Sequence, residues 1–471
     1  MSEKTAISYE EASRPIMELA RWTLETDPAW NEPRIAAQIK LLILDALGVA
    51  IAARDAESSV RVGELIDELG GNPRCTVIGR KDKTSLLSAI LMNGTQVRAL
   101  DFNDVQYFIK EGKLSVAGHC SDNMPVVLAC AEYLDAAGSR TMEAIAMAYE
   151  MFGRLRTLMP FVSPWDGTSV SGLIAAAIYG RLAGFDLVTQ ANALAMGAMR
   201  CSTPSIVRWG KLSEVKNLAN ALIAQSAVQT AMLAERGVTG PLEVLNDRGG
   251  LHQVFDPTLD FERLWAPVSE PPFIMTSNIK PYACIGTAQA AVEAALNLHT
   301  RIKDRLGEIT RIVVTMADLP MIRKQQAEIH RQYPRSREAA DHSFTFLPAV
   351  AMVEGALGDH QYRDRRWEHE DIVRLIELTQ MEVSEDLARR APGAMPARIA
   401  VTLADGTVLT EECLFDSGHS FPDRGLSPDA VISKFTTITA PFISQDRSQR
   451  IRAAVENFET TEIASLMALL Q

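Results

Sequence analysis

The sequence has few cysteines, and none of them occupies a spacing in which cysteine usually acts. The six cysteines of the 471 residues are scattered, with no C-x-x-C pair and no zinc-ligand pattern. This argues against a disulfide-stapled scaffold and against a zinc ribbon. Scattered thiols are typical of a reducing compartment, and the N-terminus lacks the basic and apolar regions of a signal peptide. We therefore expect a cytoplasmic protein.

Long apolar runs and basic stripes are also missing. No uninterrupted apolar run reaches the roughly 18 residues typical of a membrane-spanning helix. The formal net charge is -12, and no segment resembles a basic stripe that could release counterions from nucleic acid. We expect neither a membrane nor a nucleic acid as partner. An acidic protein can still bind an anionic metabolite if its lysines converge in one pocket.

The sequence lacks the short motifs of several common enzyme classes. It contains no G-x-x-x-x-G-K-[ST] phosphate loop, no H-E-x-x-H metal motif and no G-x-S-x-G nucleophile elbow. No G-x-G-x-x-G follows a predicted strand. These absences argue against a P-loop nucleotidase, a zinc protease, a dinucleotide-binding dehydrogenase and an α/β-hydrolase.

Apolar residues with helical spacing dominate the first half of the chain. They make up 47% of the sequence, and the chain exceeds the roughly 250–300 residues at which one core usually stops growing. From about residue 8 to 254 the pattern is helical almost throughout, as in 35–53, 124–137 and 141–159. This predicts a large all-helical bundle. Glycines stand at the expected helix ends: Gly71, Gly138, Gly184 and Gly237.

The pattern changes after Pro257. Residues 311–316 and 397–403 alternate like strands, and the hairpin signal Asp405-Gly406 precedes a further strand at 408–414. Helical stretches lie between them, and helical pattern returns from about Ser427. We predict a mainly α protein with an α+β second domain. Residues 1–268 form the helical domain, 269–425 a smaller α+β lid and 426–471 helices that pack back on the first domain, with a cleft between the domains.

The segment 100–123 carries the strongest functional signal. Asp101 and Asp104 lie three residues apart, so on a helical turn they share a face and shift each other's proton affinity. His119 lies in a glycine-containing loop before an apolar helix that begins near Ser121. An imidazole and carboxylates at a helix N-terminus could move a proton on an anionic substrate. The alternative interpretation is an ordinary capped, solvated turn.

Four further segments supply candidate binding groups. Asp166 and Thr168 precede an alanine-rich helix whose free N–H groups could bind a carboxylate, or they simply cap it. Lys216 and Lys280 have apolar neighbours and could together clamp a di- or tricarboxylate, although most lysines are merely exposed. His342, after Asp341, is another imidazole at a helix start, or part of a cap.

With these segments in view, the chain resembles the MmgE/PrpD family, which includes 2-methylcitrate dehydratase, cis-aconitate decarboxylase and iminodisuccinate epimerase. The motifs at 101–104, 118–123, 165–166 and 341–342 are most similar to the 2-methylcitrate dehydratase branch. The resemblance implies a homodimer, an active site between a helical domain and an α+β lid, and no metal or organic cofactor. Carried over position by position, it implies that the catalytic residues are Asp101, His119, Lys216 and Lys280.

Several positions depart from the common family pattern. Val105 stands where threonine is frequent, Asp166 where many relatives have histidine, Thr287 near another frequent histidine and Phe346 in place of a frequent tyrosine. A site built for one set of polar groups rejects ligands that lack them, so these changes leave the exact substrate and the reaction open. The predicted substrate-binding residues are Asp104, Asp166, Thr168, Thr287, His342 and Phe346.

These observations favour a cofactor-independent hydro-lyase that acts on a small di- or tricarboxylic acid such as 2-methylcitrate or citrate. In this hypothesis Lys216 and Lys280 hold carboxylates, His119 transfers a proton, and Asp101 orients or charges His119. Decarboxylation or epimerisation of a related acid is the nearest alternative. A helical binding protein that has lost catalysis and a Schiff-base lysine enzyme are further alternatives.

Overall fold

The computed structural model describes residues 8–110, 113–159, 163–247, 249–252 and 260–471. Most of this part of the chain is helical, as the sequence predicts. Caps explain several boundaries: Ser8 makes a capping box with Glu11, and Gly184 adopts a left-handed conformation directly after its helix.

The helices of the first half are α1 Tyr9–Glu25, α2 Pro33–Ala52, α3 Glu57–Leu69, α4 Leu86–Ala99, α5 Met124–Tyr133, α6 Gly138–Leu158, α7 Ser171–Ala183, α8 Leu187–Ala198 and α9 Val215–Ala234. Those of the second half are α10 Gln289–Ile302, α11 Pro320–Gln326, α12 Ile329–Gln332, α13 Arg337–Ala340, α14 Phe346–Glu354, α15 His360–Arg363, α16 Glu370–Glu377, α17 Glu385–Arg390, α18 Pro428–Thr439, α19 Gln445–Glu456 and α20 Ile463–Leu469.

The strands form two sheets in the described ranges. The smaller sheet has the order β2-β1-β3, and the larger one has the order β5-β4-β6-β7. In the larger sheet β4 pairs parallel with β5 and antiparallel with β6, and β6 pairs antiparallel with β7. The strands are β1 Val105–Lys110, β2 Lys113–Gly118, β3 Ser277–Asn278, β4 Ile309–Ala317, β5 Thr379–Ser384, β6 Ala397–Leu403 and β7 Val408–Cys413.

Two hydrophobic cores organise the chain. The larger lies among α1, α2 and α4–α9, and it also contains Val431, Phe435 and Ile451 from the C-terminal helices. Small residues allow close helix crossings: a side chain at Gly172 on α7 would lie 2.5 Å from the carbonyl oxygen of Gly197 on α8. The C-terminal helices therefore share the core of the helical domain.

The second core fills the space between α10, α14 and the inner face of the larger sheet. Ile312, Val314 and Met316 of β4 supply that face, as expected for a strand with alternating burial. The same core includes Leu100 and Phe102, which directly follow α4 of the helical domain. The segment that carries Asp101 thus lies where the two cores meet.

The helical pattern of the first half is interrupted by a β-hairpin that the sequence analysis did not predict. β1 and β2 form this hairpin, and β1 also pairs with β3 from the start of the second domain. β-branched and aromatic residues favour this extended conformation. The connection between Asp104 and His119 is therefore a hairpin with a β3 neighbour, rather than a plain loop.

One glycine has a different role from the predicted one. Gly138 begins α6 instead of ending a helix, and its neighbour Ala137 forms a β-bridge with Glu462. A Cβ at Gly138 would lie 1.8 Å from the carbonyl oxygen of Phe458. Glycine is required here because the C-terminal segment approaches the backbone directly.

Gly138→Ala is expected to lower the free energy of unfolding by about 1–3 kcal/mol, because an overpacked contact with backbone cannot relax as a side chain would. Urea denaturation measures the change. Gly307→Ala is the matched control, since a Cβ at Gly307 meets nothing within 4 Å, and its effect should stay within about 0.5 kcal/mol. Equal stability of the two variants would contradict the close approach of the C-terminal segment to Gly138.

One helix, α2, is long and apolar enough to cross a membrane by length and composition. Of its most apolar 18-residue window, 83% is buried inside the protein. Asp45 lies within α2 and pairs at 2.6 Å with Lys434 of α18. The apolar surface of α2 is covered by protein, as in the core helices of many folded domains.

Candidate active site

Asp101 is the centre of a buried cluster of charges. It follows α4 with φ of 48°, a left-handed conformation that is unusual for a residue other than glycine. Arg98 on the last turn of α4 approaches Asp101 Oδ1 at 2.9 Å, and Lys216 Nζ on α9 approaches Oδ2 at 3.2 Å. Lys280 Nζ donates to the Asp101 carbonyl oxygen at 2.8 Å and also to its Oδ1. One carboxylate therefore binds three cations from different segments.

Asp341 and His342 extend this cluster from the second domain. Lys216 Nζ lies 3.0 Å from Asp341 Oδ2, so it bridges two carboxylates. His342 Nδ1 makes a short hydrogen bond with Asp341, and its Nε2 lies 3.5 Å from Asp101 Oδ2. Residues far apart in the chain thus form one network where the helical and α+β parts meet.

The neighbouring charges determine which side chains of the cluster carry a proton. Burial alone would raise the pKa of Asp101, but Arg98, Lys280 and Lys216 outweigh it and hold that pKa well below the usual value. Burial and the neighbouring Lys216 lower the pKa of His342 to about 4. At neutral pH the aspartate is ionised and this imidazole is neutral.

His119 has a defined tautomer. Its Nδ1 lies 2.5 Å from the carbonyl oxygen of Asp104, and a carbonyl can only accept, so Nδ1 carries the proton. Nε2 therefore keeps its lone pair. Burial, with the nearby charges of Arg98 and Lys280, holds the pKa of His119 well below its usual value. The ring is a neutral base at neutral pH.

Asp104 does not share a face with Asp101, because the backbone between them is not helical. Its Oδ1 accepts from the Ser121 hydroxyl at 2.5 Å, and its Oδ2 accepts from the Tyr149 hydroxyl at 2.9 Å. Burial raises the pKa of Asp104 to about 6. Its main chain orients His119, while its carboxyl group fixes the start of the next helix. The predicted pairing of two carboxylates on one helical face is wrong.

A cavity of about 180 Å³ opens beside the charged cluster. Asp101, His119 and His342 lie in its wall, and Val105 contributes an apolar part. Three other predicted binding residues, Asp166, Thr168 and Thr287, also line it. Most of the residues selected from the sequence therefore lie around one small space.

The two lysines have a different contact from the predicted one. In the described ranges the cavity wall does not include Lys216 or Lys280, whose side chains are fully buried. Their ammonium groups donate to Asp101 instead of pointing to an open carboxylate site. They clamp the carboxylate of Asp101, whereas the sequence analysis predicted that the pair clamps a di- or tricarboxylate substrate.

Asp166 and Thr287 are each bonded within the protein. Asp166 caps a short 3-10 turn by accepting from the Thr168 N–H at 3.0 Å and hydroxyl at 2.8 Å, and it pairs with Arg208 at 3.2 Å. Thr287 donates its hydroxyl to Gln325 at 2.8 Å. Both segments keep polar groups on the cavity wall, so three of the four positions that depart from the family pattern, Val105, Asp166 and Thr287, line the same space.

Phe346 lies elsewhere. It is fully buried at the start of α14, where its ring packs against Tyr362 and Trp367 with centroids 6.1 Å away in each case. The side chain belongs to the second core and is not among the described residues that line the cavity.

Four arginines of the cavity wall were missed by the sequence analysis. None of them lies in a recognised motif, and a single arginine in a sequence is most often a solvated surface residue, so the sequence carries no signal that selects them. Their four guanidinium charges exceed the three aspartate carboxylates of the same wall, so this part of an otherwise acidic protein is cationic. They are Arg98, Arg156, Arg208 and Arg331.

The cluster contains one group of residues with metal-ligand chemistry. Ligand atoms of Asp101, Asp341 and His342 lie within 4.8 Å of one another. However, Lys216 and Lys280 already donate to these carboxylates, and a divalent cation there would lie against fixed positive charges. The residues do not fit a metal ion.

A buried imidazole, a charge-paired aspartate and a cationic cavity between two cores are typical of an acid–base enzyme for small anions. Comparison with known proteins agrees. Family models match residues 17–264 as the MmgE/PrpD N-terminal domain and residues 282–460 as the MmgE/PrpD C-terminal domain. The chain belongs to the MmgE/PrpD family, which contains dehydratases and decarboxylases.

One curated relative spans nearly the whole chain. The cis-aconitate decarboxylase-like protein oryM of Aspergillus oryzae is 22% identical over 479 residues, which cover 96% of this chain and 96% of that protein. The likeness extends through both domains, so the residues of the cluster lie within the matched length.

Proposed function

We propose that the protein is a cofactor-independent hydro-lyase that removes water from a small hydroxylated di- or tricarboxylic acid, such as citrate or 2-methylcitrate. The observation that carries this proposal is the state of His119, a neutral imidazole with Nε2 unprotonated on the wall of a cationic cavity. Such a group abstracts a proton, which is the first step of an elimination next to a carboxylate.

In the proposed reaction His119 Nε2 takes the proton from the carbon next to a substrate carboxylate. The electron pair of that C–H bond forms the new C=C bond, and the hydroxyl group leaves the neighbouring carbon. The proton on His119 passes to the departing hydroxyl, which is released as water, and the imidazole returns to its neutral form. The products are an unsaturated acid and one water molecule, so no redox partner is needed.

Cationic side chains stabilise the charge that builds on the substrate carboxylate while the proton leaves. Arg98 lines the cavity and can act on this charge directly. Lys216 and Lys280 act through Asp101, because they fix its ionised carboxylate at the cavity wall. In this proposal Asp101 is oriented by the lysines, and His342 completes its hydrogen-bonding environment.

Decarboxylation of a related unsaturated acid is the second candidate, and the description of the Aspergillus oryzae relative favours it. There the bond to a carboxylate carbon breaks, carbon dioxide leaves, and the carbanion takes a proton. That step needs a protonated donor near the carbanion. The lowered pKa of His119 disfavours this form in the free protein, so we rank dehydration first.

The proposal is tested by incubating the purified protein with citrate, 2-methylcitrate, cis-aconitate, tartrate and amino-dicarboxylates. We expect a hydroxy acid to yield an alkene that absorbs in the ultraviolet, without carbon dioxide. Because the buried carboxylates already bind ammonium groups, a chelator should leave turnover unchanged. Release of carbon dioxide would establish the second candidate. Loss of a substrate's optical activity without an alkene would establish epimerisation, and absence of turnover across the panel would contradict a lyase.

A further inference from the structure

Arg331 is a buried cation with incomplete bonding. It lies on α12, and only 4% of its surface is exposed. Its Nη2 donates to the main-chain oxygen of Arg208 at 2.8 Å, which joins the second domain to the segment before α9. Its Nε and Nη1 have no hydrogen-bond acceptor in the described part of the protein. A guanidinium group buried in this way has a strong requirement for an anionic acceptor.

Arg208 is also incompletely bonded, and 18% of its side chain is exposed. Its Nε pairs with Asp166 at 3.2 Å, whereas its Nη1 has no acceptor among the residues that the structure describes. Asp166 also accepts from Thr168, so its single negative charge is shared. Both arginines line the cavity beside His119. Arg208 and Arg331 thus bring guanidinium N–H groups without an acceptor among the described residues to the wall of one cavity.

The chemistry of these donors indicates the ligand. Guanidinium groups present paired N–H donors that match the two oxygens of a carboxylate. Burial lowers the pKa of Arg331 to about 10, so the side chain remains charged at neutral pH. Arg98 already neutralises Asp101 and is therefore less available to a second anionic group.

We propose that Arg208 and Arg331 together bind a second substrate carboxylate, distinct from the one next to the carbon that loses its proton. This inference rests on the proposed function for the identity of the reacting carbon. It makes the arginine pair specificity-determining: acids with two or three carboxylates bind, and acids with only one do not. The pair also joins elements of both domains through the ligand.

The test measures binding and needs no turnover. Tricarballylate, a tricarboxylate without a hydroxyl group, cannot be dehydrated and is titrated calorimetrically into the protein. Butyrate serves as the monocarboxylate and inorganic phosphate as the alternative anion. Arg331→Gln and Arg208→Gln should each weaken tricarballylate binding by about 10–100-fold, the usual loss for a charge-assisted hydrogen bond. Arg331→Lys should recover little, because an ammonium lacks the paired donors.

Arg335→Gln is the matched control, since Arg335 is an exposed arginine four residues further on and outside this cavity. It should bind tricarballylate like the unmodified protein. Thermal unfolding verifies that each variant is folded, and Arg208→Gln decides the matter if Arg331→Gln does not fold. Unchanged tricarballylate binding in a folded variant would overturn the proposal, as would equal or tighter binding of butyrate or phosphate. Binding with these losses but no lyase turnover would refute only the proposed function.

Discussion

Replacing Asp101 with asparagine is expected to lower the free energy of unfolding by about 3–5 kcal/mol, the usual effect of breaking a buried charge pair. The asparagine side chain keeps the shape but not the charge. Arg98, Lys216 and Lys280 would then be buried with one fewer carboxylate among them. Turnover should fall by about 100-fold or more, because the charged wall of the cavity is no longer preorganised.

Urea denaturation and steady-state kinetics measure these effects on Asp101→Asn. Asp67→Asn is the matched control, since Asp67 also pairs with an arginine but is largely exposed; it should cost about 0–1 kcal/mol. Adding Lys280→Met to Asp101→Asn should recover part of the lost stability, because Lys280 pairs with no carboxylate other than Asp101 in the described part of the protein and one uncompensated cation is removed. A loss below about 1 kcal/mol in Asp101→Asn would show that the cluster is not a coupled unit.

Replacing His119 with glutamine should lower kcat by about 10²–10⁴-fold while leaving the fold intact. The amide can still donate to the Asp104 carbonyl oxygen, which His119 Nδ1 contacts, but it cannot accept a proton at neutral pH. His299→Gln is the matched control, because His299 Nδ1 contacts the carbonyl oxygen of Met352 at 2.8 Å, outside the cavity wall. That variant should keep turnover.

The pH dependence of kcat/KM gives a second measurement on the same residue. Because the pKa of His119 lies well below 6.5, the neutral base persists as the pH falls through that value. Activity should therefore be level around pH 7 and decline only further into the acid range, where the imidazole is protonated. A decline centred at or above pH 6.5, or near-normal turnover of His119→Gln, would remove His119 from the proposed mechanism.

Much of the fold follows from local sequence pattern. The helical period of the first half, the alternation at residues 311–316 and 397–403, and the Asp405-Gly406 turn predict elements that the structure contains. The hairpin of β1 and β2 was not predicted, because its short run of mixed residues depends on pairing with β3 from the second domain. Such non-local pairing leaves little trace in a local pattern.

The candidate active site likewise contains some residues that the sequence could identify and others that it could not. His119 could be selected because a histidine in a glycine-containing loop before a helix is unusual, and Asp101 because it shares that segment. Arg208 and Arg331 could not, since a single arginine outside any motif looks like a solvated residue until another element covers it. The direction in which Lys216 and Lys280 point also depended on packing, because their stems are flexible and Asp101 competes for their ammonium groups.

The sequence by itself determined that the chain is mainly helical with an α+β part, and which segment carries an imidazole beside carboxylates. Those properties reside in short-range spacing, which fixes the faces of helices and strands. Only the tertiary structure decided that Asp101 is the hub of three cations, that Asp104 supports His119 through its main chain, and that two arginines face the cavity. Each of these depends on desolvated charges from distant segments, whose interaction is set by distance and burial rather than by position along the chain.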